Sequence, residues 1–397
     1  VVDALHELFP DAPVFTLVFD PKFKERYKSW DIRTSGLQTL YLALGKLQYL
    51  LPLIPWGVDS LDFSGYDVVI SSSSSWAKNI RVPKNCVHIC YCHTPTRFLW
   101  SEPEYIKQEV PVLLRPLARL LISKMRKWDF AGAQRVTKFI ANSKEVQSRI
   151  KKYYNRDSEI IYPFIDVEFW RPVVQATGLP LLSSDDKQAS GLHYKDKPDY
   201  FLLAGRLQPH KQNDLIVEIF SALGGSASGG NESEFNLHVV GTGRQENYLR
   251  SIAKNNISFF GHISDEELRE QYSGAKALIY PQLEDFGLMP LEAAACGTPT
   301  LAYGKGGALE TVVPGVTGEF FGDDGNINGG GVVQATGLPS LAIDYKQAGG
   351  LHYKDQIKQL ILSWNPSKYP LNNLRHQAEK FSKEKFKDKI LKLINLK

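Results

Sequence analysis

Short apolar, β-branched runs alternate with helix-patterned stretches along nearly the whole chain, and that alternation leaves few folds open. VFTLVF, DVVISS, CVHICYC, KFIANS and EIIYPF fall in the first half; YFLLAG, NLHVVG, ISFFG, AKALIY and PTLAY fall in the second. Strands separated by helices pair in parallel, because each crossover brings the chain back to start the next strand in the same direction. CVHICYC and AKALIY are apolar at almost every position, as strands are when helices cover both faces. A chain of 397 residues exceeds what one hydrophobic core holds. The expected fold class is therefore α/β, with two doubly wound, Rossmann-like parallel-sheet domains. YPFIDVEFWRP, from Tyr162, loses periodicity and carries prolines, which marks the break. The expected division is residues 1–165, a linker at 166–198, residues 199–375, and a C-terminal helix at 376–397 that packs back toward the first domain.

One element interrupts this plan. VVQATGLPLLSSDDKQASGLHYKD, residues 173–196, recurs at 332–355 with five differences. Solenoid repeats recur in series, whereas these two copies stand far apart. They read as two insertions into surface loops, where added length costs little closure entropy, and no catalytic role is expected of them. His193 and His352 are set aside on that ground. GGSASGGNESE, from Gly224, reads as a flexible connector.

Bulk properties exclude several classes. The net charge of +4 suits phosphate-bearing ligands or an anionic membrane but falls short of a nucleic-acid footprint. Cys86, Cys90 and Cys92 crowd one expected strand, leaving Cys296 apart, so reduced, buried thiols are expected rather than a disulfide framework or a zinc site. No Asp-x-Asp pair ends a strand, so no metal or other cofactor is expected. The most apolar stretch, LQYLLPLIPWGV from Leu47, is prolyl-broken and shorter than the roughly 20 residues of a membrane span. With no export signal at the start, the expectation is a cytoplasmic protein. VPVLLRPLARLLISKMRKW, residues 110–128, interleaves leucines with five cations. This suits peripheral contact with anionic lipid at the inner face of the membrane, and suits equally a core helix with a solvated basic face.

In open α/β sheets ligands bind beyond the carboxyl ends of the strands, so the residues just after each apolar run are the candidates. After YFLLA comes GRLQPHK, with Arg206 and Lys211 placed for phosphate; after NLHVV come Gly241 and Gly243, which permit close backbone approach. ISFFG leads to His262 and Ile263, and AKALIYPQL leads to EDFGLMPLE, residues 284–292. There Pro290 is expected to open a helix with Glu292 in its first turn, so that the amides of Phe286, Gly287 and Leu288 face a diphosphate. Glu292 could accept both hydroxyls of a ribose. His93 ends the CVHICYC strand, and Ser71 to Ser75 end another; a lone histidine or a serine run is more often structural.

EDFGLMPLEAAACGTPTLA, preceded by AGRLQPHKQ and VVGTG, closely resembles the C-terminal domain of family 4 retaining glycosyltransferases, with the motifs in family order. CYCHTPTRFLW, from Cys90, resembles a sugar-side loop of the same family, particularly of bacterial mannosyltransferases that build surface polysaccharide such as O-antigen. The resemblance implies a GT-B fold, two Rossmann-like domains facing a central crevice, and transfer of a hexose from a nucleotide sugar to a glycan or polyprenyl-linked acceptor. It implies that Arg206 and Lys211 bind donor phosphates, that Glu292 binds the ribose, and that Glu284 and His93 lie near the donor sugar. Backbone around His262 and Ile263 then receives the base. HTPTRFLW and Asp285 point to GDP-mannose. The resemblance favours front-face attack by the acceptor hydroxyl, with a covalent role for Glu284 left open. Family members begin with a strand and a Gly-rich turn, whereas this chain begins at VVDAL, inside the helix expected after that turn. A catalytically weak homologue that only binds nucleotide sugar or partners is therefore the second expectation.

Overall fold

The computed structural model describes residues 1–100, 112, 115–173, 199–224, 235–322 and 350–395. One compact unit comprises Val1–Pro163 and Phe386–Lys397; a second comprises Phe164–Leu338 and Ala342–Lys385.

In the first unit, β1 (Val14–Thr16) and β2 (Ile32–Thr34) form a parallel pair. A four-stranded parallel sheet follows in chain order: β3 (Val68–Ser73), β4 (Val87–Cys92), β5 (Lys138–Ala141) and β6 (Ser158–Ile160). β4 is an inner strand, and all but its first residue are buried, which accounts for the unbroken apolar run CVHICYC. The helix Lys144–Tyr154 starts at Ser143, whose Oγ accepts from the Val146 amide at 3.1 Å, and stops at Asn155 in the left-handed conformation. The 21-residue helix Arg115–Arg135 turns Ile122, Met125, Asp129, Gly132 and Ala133 inward. Gly132 is needed there, because a Cβ would run into the Asn79 side chain.

The second unit holds six parallel strands, β7 (Tyr200–Ala204), β8 (Asn236–Val240), β9 (Ile257–Gly261), β10 (Leu278–Tyr280), β11 (Thr300–Tyr303) and β12 (Gly318–Phe321). Their order across the sheet is β9-β8-β7-β10-β11-β12. In chain order that reads 3-2-1-4-5-6, so the winding reverses between β7 and β10. One core formed by Phe201, Leu203, Leu215, Phe220, Val239, Ile279 and Leu301, among others, lies between this sheet and its helices.

Several expectations change here. β2 and β12 are short and partly polar, IRT and GEFF, and were not among the expected strands. Most of both repeat copies lies outside the described residues, but the end of the second copy is not a loop insertion. From Gly350 it forms the start of helix Gly350–Leu362. Tyr353 packs edge-on against Tyr303 and Phe321, and Lys354 is ion-paired with Glu218. The stretch expected as linker is tied down where it is described: Arg269 donates to the Phe169 carbonyl at 3.0 Å, and Trp170 packs edge-on against Tyr272. The expected C-terminal helix spans Lys383–Asn395, and a separate helix, Leu371–Glu379, precedes it. Among the described residues no helix is long and apolar enough to cross a membrane.

Candidate functional site

β7 and β10 flank the reversal in strand order, and the loops leaving their carboxyl ends carry the expected charges. After β7, Gly205 has φ +122°, Arg206 is exposed, and Pro209–Lys211 makes a single 3-10 turn before helix Asn213–Gly224. Gln212, between the two, is held in the left-handed region with φ +57°, a strained position for a residue with a Cβ. The turn drives Lys211 inward until it is only 7% exposed. Its ammonium is ion-paired with the half-buried carboxylate of Glu284, which follows β10. The two expected site charges therefore meet across the switch point, each neutralising the other in a partly dry setting.

Glycines bind these loops together. Gly241, with φ +121°, donates to the Gly261 carbonyl at 2.6 Å, and a Cβ on it would overlap the Gly205 carbonyl oxygen. A Cβ on Gly243 would likewise overlap the Leu207 backbone. Both glycines thus lie against the neighbouring loop of this chain, whereas the approach expected of them is to a ligand. His262 is exposed and Ile263 half-buried, immediately before the helix Asp265–Gly274. That helix is closed by a capping box, in which Ser264 Oγ accepts from the Glu267 amide at 3.2 Å and the Glu267 carboxylate accepts from the Ser264 amide at 2.7 Å.

The EDFG turn differs in detail from expectation. The helix spans Leu288–Ala295, so it opens two residues before Pro290, and Glu292 sits in its second turn rather than its first. Pro290 is tolerated because amides of a first turn have no partner within the helix. Gly287, at φ +89°, is the N-cap and has no side chain to cap those amides, the arrangement in which helix starts receive phosphate. Phe286 is buried against Phe381, Asp285 is half-buried and Leu288 is exposed. Burial pushes the Glu292 carboxyl up to about 7, opposed by the Tyr272 hydroxyl, which donates to it at 3.2 Å. Its residue surface is only partly covered, so the burial is that of the carboxyl's surroundings rather than of the whole side chain.

A further loop completes the group. Gly307 donates to the Glu284 carbonyl at 2.9 Å, and a Cβ at Gly306 or Gly307 would overlap the backbone of Glu284 or Phe286. Lys305 is half-buried beside them, its ammonium 5.7 Å from the Tyr303 ring. These residues were not among the candidates, yet YGKGG directly after the PTLAY strand was a readable signal of close backbone approach.

In the first unit, His93 follows β4. Its amide donates to the Ser73 carbonyl and its Nε2 is hydrogen-bonded to the Ser72 hydroxyl, both at 2.8 Å. Ser71 is bonded to His88 and Ser73 to the Ser75 carbonyl, so the serine run braces this strand end. The HTPTRFLW loop is anchored from below by Asp129, fully buried. Asp129 accepts from Lys78 Nζ at 2.5 Å, Thr96 Oγ1 at 3.0 Å, Trp100 Nε1 at 2.7 Å and the Tyr154 hydroxyl at 2.8 Å. Cys86, Cys90, Cys92 and Cys296 are buried thiols, and Cys86 stands just before β4. Among the described residues no three His, Cys, Asp or Glu side chains are grouped to hold a metal ion.

Comparison with known proteins agrees with this architecture. Residues 4–169 match the model of the glycosyltransferase family 4 domain, and residues 184–328 match that of glycosyl transferases group 1. The chain is 29% identical over 280 residues to alpha-1,3/1,6-mannosyltransferase ALG2 of Dictyostelium discoideum, covering 64% of each protein. It is 29% identical over 143 residues to a GDP-mannose-dependent monoacylated alpha-(1-6)-phosphatidylinositol monomannoside mannosyltransferase of Corynebacterium glutamicum, covering 33% of this chain and 36% of that one. The chain thus spans less than two thirds of the length of either relative. Among solved structures, sucrose-phosphate synthase of Thermosynechococcus elongatus superposes with a TM-score of 0.64 at 19% identity, over 96% of this chain and 87% of that one, which shows a shared fold. Two parallel-sheet units, and family models that between them match most of the chain, show that it belongs to family 4 of the retaining glycosyltransferases, with the GT-B fold.

Proposed function

We propose that the chain moves a hexose, mannose from GDP-mannose, onto a glycan or polyprenyl-linked acceptor in surface-polysaccharide synthesis, with retention of configuration and without a metal ion. The observation that carries this reading is the meeting of Lys211 and Glu284 across the β7–β10 switch point, beside an uncapped helix start at Gly287. Arg206, Lys211 and the amides of Phe286, Gly287 and Leu288 take the donor diphosphate, and these fixed positive groups meet the charge that develops as it departs. Glu292 accepts the ribose hydroxyls, and the backbone around His262 and Ile263 receives the base. Asp285, Glu284 and His93 lie on the sugar side. Glu284, held by Lys211, positions the sugar, while the acceptor hydroxyl attacks from the face the diphosphate leaves and passes its proton to the departing phosphate oxygen. The names of the two mannosyltransferase relatives favour mannose, and that of the corynebacterial relative favours GDP-mannose.

A donor screen that reads nucleotide release, GDP-mannose against UDP-sugars, tests the reading. Arg206→Ala and Lys211→Ala each remove a charge-assisted contact of about 1.5–3 kcal/mol and should reduce turnover about 10- to 150-fold. Parent-like turnover in both would overturn the phosphate assignment, and nucleotide binding without release from any donor would favour a binding-only homologue.

A further inference from the structure

We infer that Tyr272 is a positioning residue for the donor nucleotide: its buried hydroxyl holds one oxygen of the Glu292 carboxyl so that the other is presented to the ribose. The inference rests on the ribose contact proposed above for Glu292. Tyr272 is fully buried near the end of helix Asp265–Gly274, and its hydroxyl donates to Glu292 Oε2 at 3.2 Å. Among the described residues that is the hydroxyl's sole hydrogen-bond partner, and Glu292 Oε1 accepts no hydrogen bond. A phenylalanine would fill the same space without the cost of drying a hydroxyl, so packing alone does not call for a tyrosine here.

Tyr272 is itself held in place. Thr298 Oγ1 donates to its carbonyl at 2.5 Å, and the Trp170 ring packs edge-on against its own at 5.6 Å. The helix starts directly after His262 and Ile263, where the capping box at Ser264 fixes its first turn. One helix of 10 residues therefore joins the backbone proposed for the base to the side chain that braces the ribose carboxyl. Burial favours the protonated form of Glu292, the Tyr272 hydroxyl opposes it, and Asp265 at the start of the same helix adds to the effect of burial. Tyr280 also feels the Glu292 charge, and from helix Leu371–Glu379 Arg375 faces Cys296. Burial holds the Tyr272 phenol far above its ordinary range, so it keeps its proton and stays a donor to the carboxylate. Removing the hydroxyl leaves that carboxylate less favoured and free to turn away.

The test is calorimetric titration of the full chain with GDP and with UDP, each beside its 2′,3′-dideoxy analogue, at pH values on either side of about 7. The parent should prefer the ribonucleotide, and Glu292→Gln should lose that preference. Tyr272→Phe should cut it by about three- to tenfold at alkaline pH and move the rise of affinity to higher pH. In the Glu292→Gln background the same substitution should change the preference by less than about twofold, because the hydroxyl acts only through that carboxyl. Thr298→Val, which releases the Tyr272 carbonyl and leaves the hydroxyl, should lower the preference in the same direction. If Tyr272→Phe does not fold, a preference that Thr298→Val leaves intact would overturn the inference. A parent without ribose preference would overturn the Glu292 reading and the positioning role with it. A preference lost in Glu292→Gln but kept in Tyr272→Phe, with an unshifted pH curve, would overturn the positioning role alone.

Discussion

Among single residues, Glu292 makes the sharpest statement about pH. Its carboxyl is pushed up to about 7 in the fold from 4.5 in the unfolded chain, because burial disfavours the charged form. Below 4.5 both states hold the proton and nothing is lost; above 7 the fold bears the whole penalty, on the order of 3 kcal/mol before solvent screening reduces it. Stability should therefore fall between these limits as pH rises. Glu292→Gln should match the parent at pH 4 and exceed it at pH 8 by roughly 2 kcal/mol in urea melts. Donor affinity should run the other way in the parent, climbing through about pH 7 as the carboxylate becomes the stronger acceptor for ribose hydroxyls, and should lie flat in the variant. A parent binding curve independent of pH would remove Glu292 from the ribose. Gly241 makes a different kind of statement. Its left-handed backbone and the adjacent Gly205 carbonyl leave no room for a Cβ, so Gly241→Ala should destabilise by about 2–4 kcal/mol. Gly45→Ala, also at positive φ but in open space, should cost only about 1 kcal/mol.

At the scale of elements, the junction of β4, its HTPTRFLW loop and helix Arg115–Arg135 depends on one buried ion pair. Asp129→Leu strands the Lys78 ammonium with only Ser75 and Thr96 oxygens, and should cost about 3–5 kcal/mol. The double change Lys78→Met/Asp129→Leu should recover much of that in urea melts; no recovery would mean that the Thr96, Trp100 and Tyr154 hydrogen bonds, not the charge pair, hold the junction. The same contrast separates what the chain's pattern exposes from what it hides. Strands such as CVHICYC and AKALIY were legible because burial on two faces imposes a composition, and the switch-point residues were legible because strand ends can be located. IRT and GEFF have no such composition and escaped. Lys78 and Asp129 lie 51 positions apart and read as ordinary surface charges until the fold joins them. The start of helix Leu288–Ala295 was misplaced because Pro290 is permitted throughout a first turn, whereas the left-handed Gly287 that sets the start is a backbone fact. Tyr272, which holds Glu292, comes from another helix and carried no signal of its own.

Over the whole molecule, the residues proposed for donor binding and His93, proposed for the sugar, fall in different units. Arg206, Lys211, Glu284, Glu292 and the Gly287 helix start all belong to the second unit, whereas His93 and its Ser72 partner belong to the first. If the second unit carries the nucleotide and His93 acts on the sugar, their substitutions must separate in binding and turnover, because an interaction made only as the sugar moves lowers kcat without loosening the nucleotide. His93→Ala should bind the bare nucleoside diphosphate within about twofold of the parent yet turn over at least about tenfold more slowly. Lys211→Ala should weaken that same binding directly. Calorimetry with the nucleotide, set beside initial rates with the sugar donor, resolves the two patterns. Equal loss of nucleotide affinity in both variants would place His93 on the phosphates. Parent-like turnover in His93→Ala would instead leave the Ser72 hydrogen bond as its role, a brace for the end of β3.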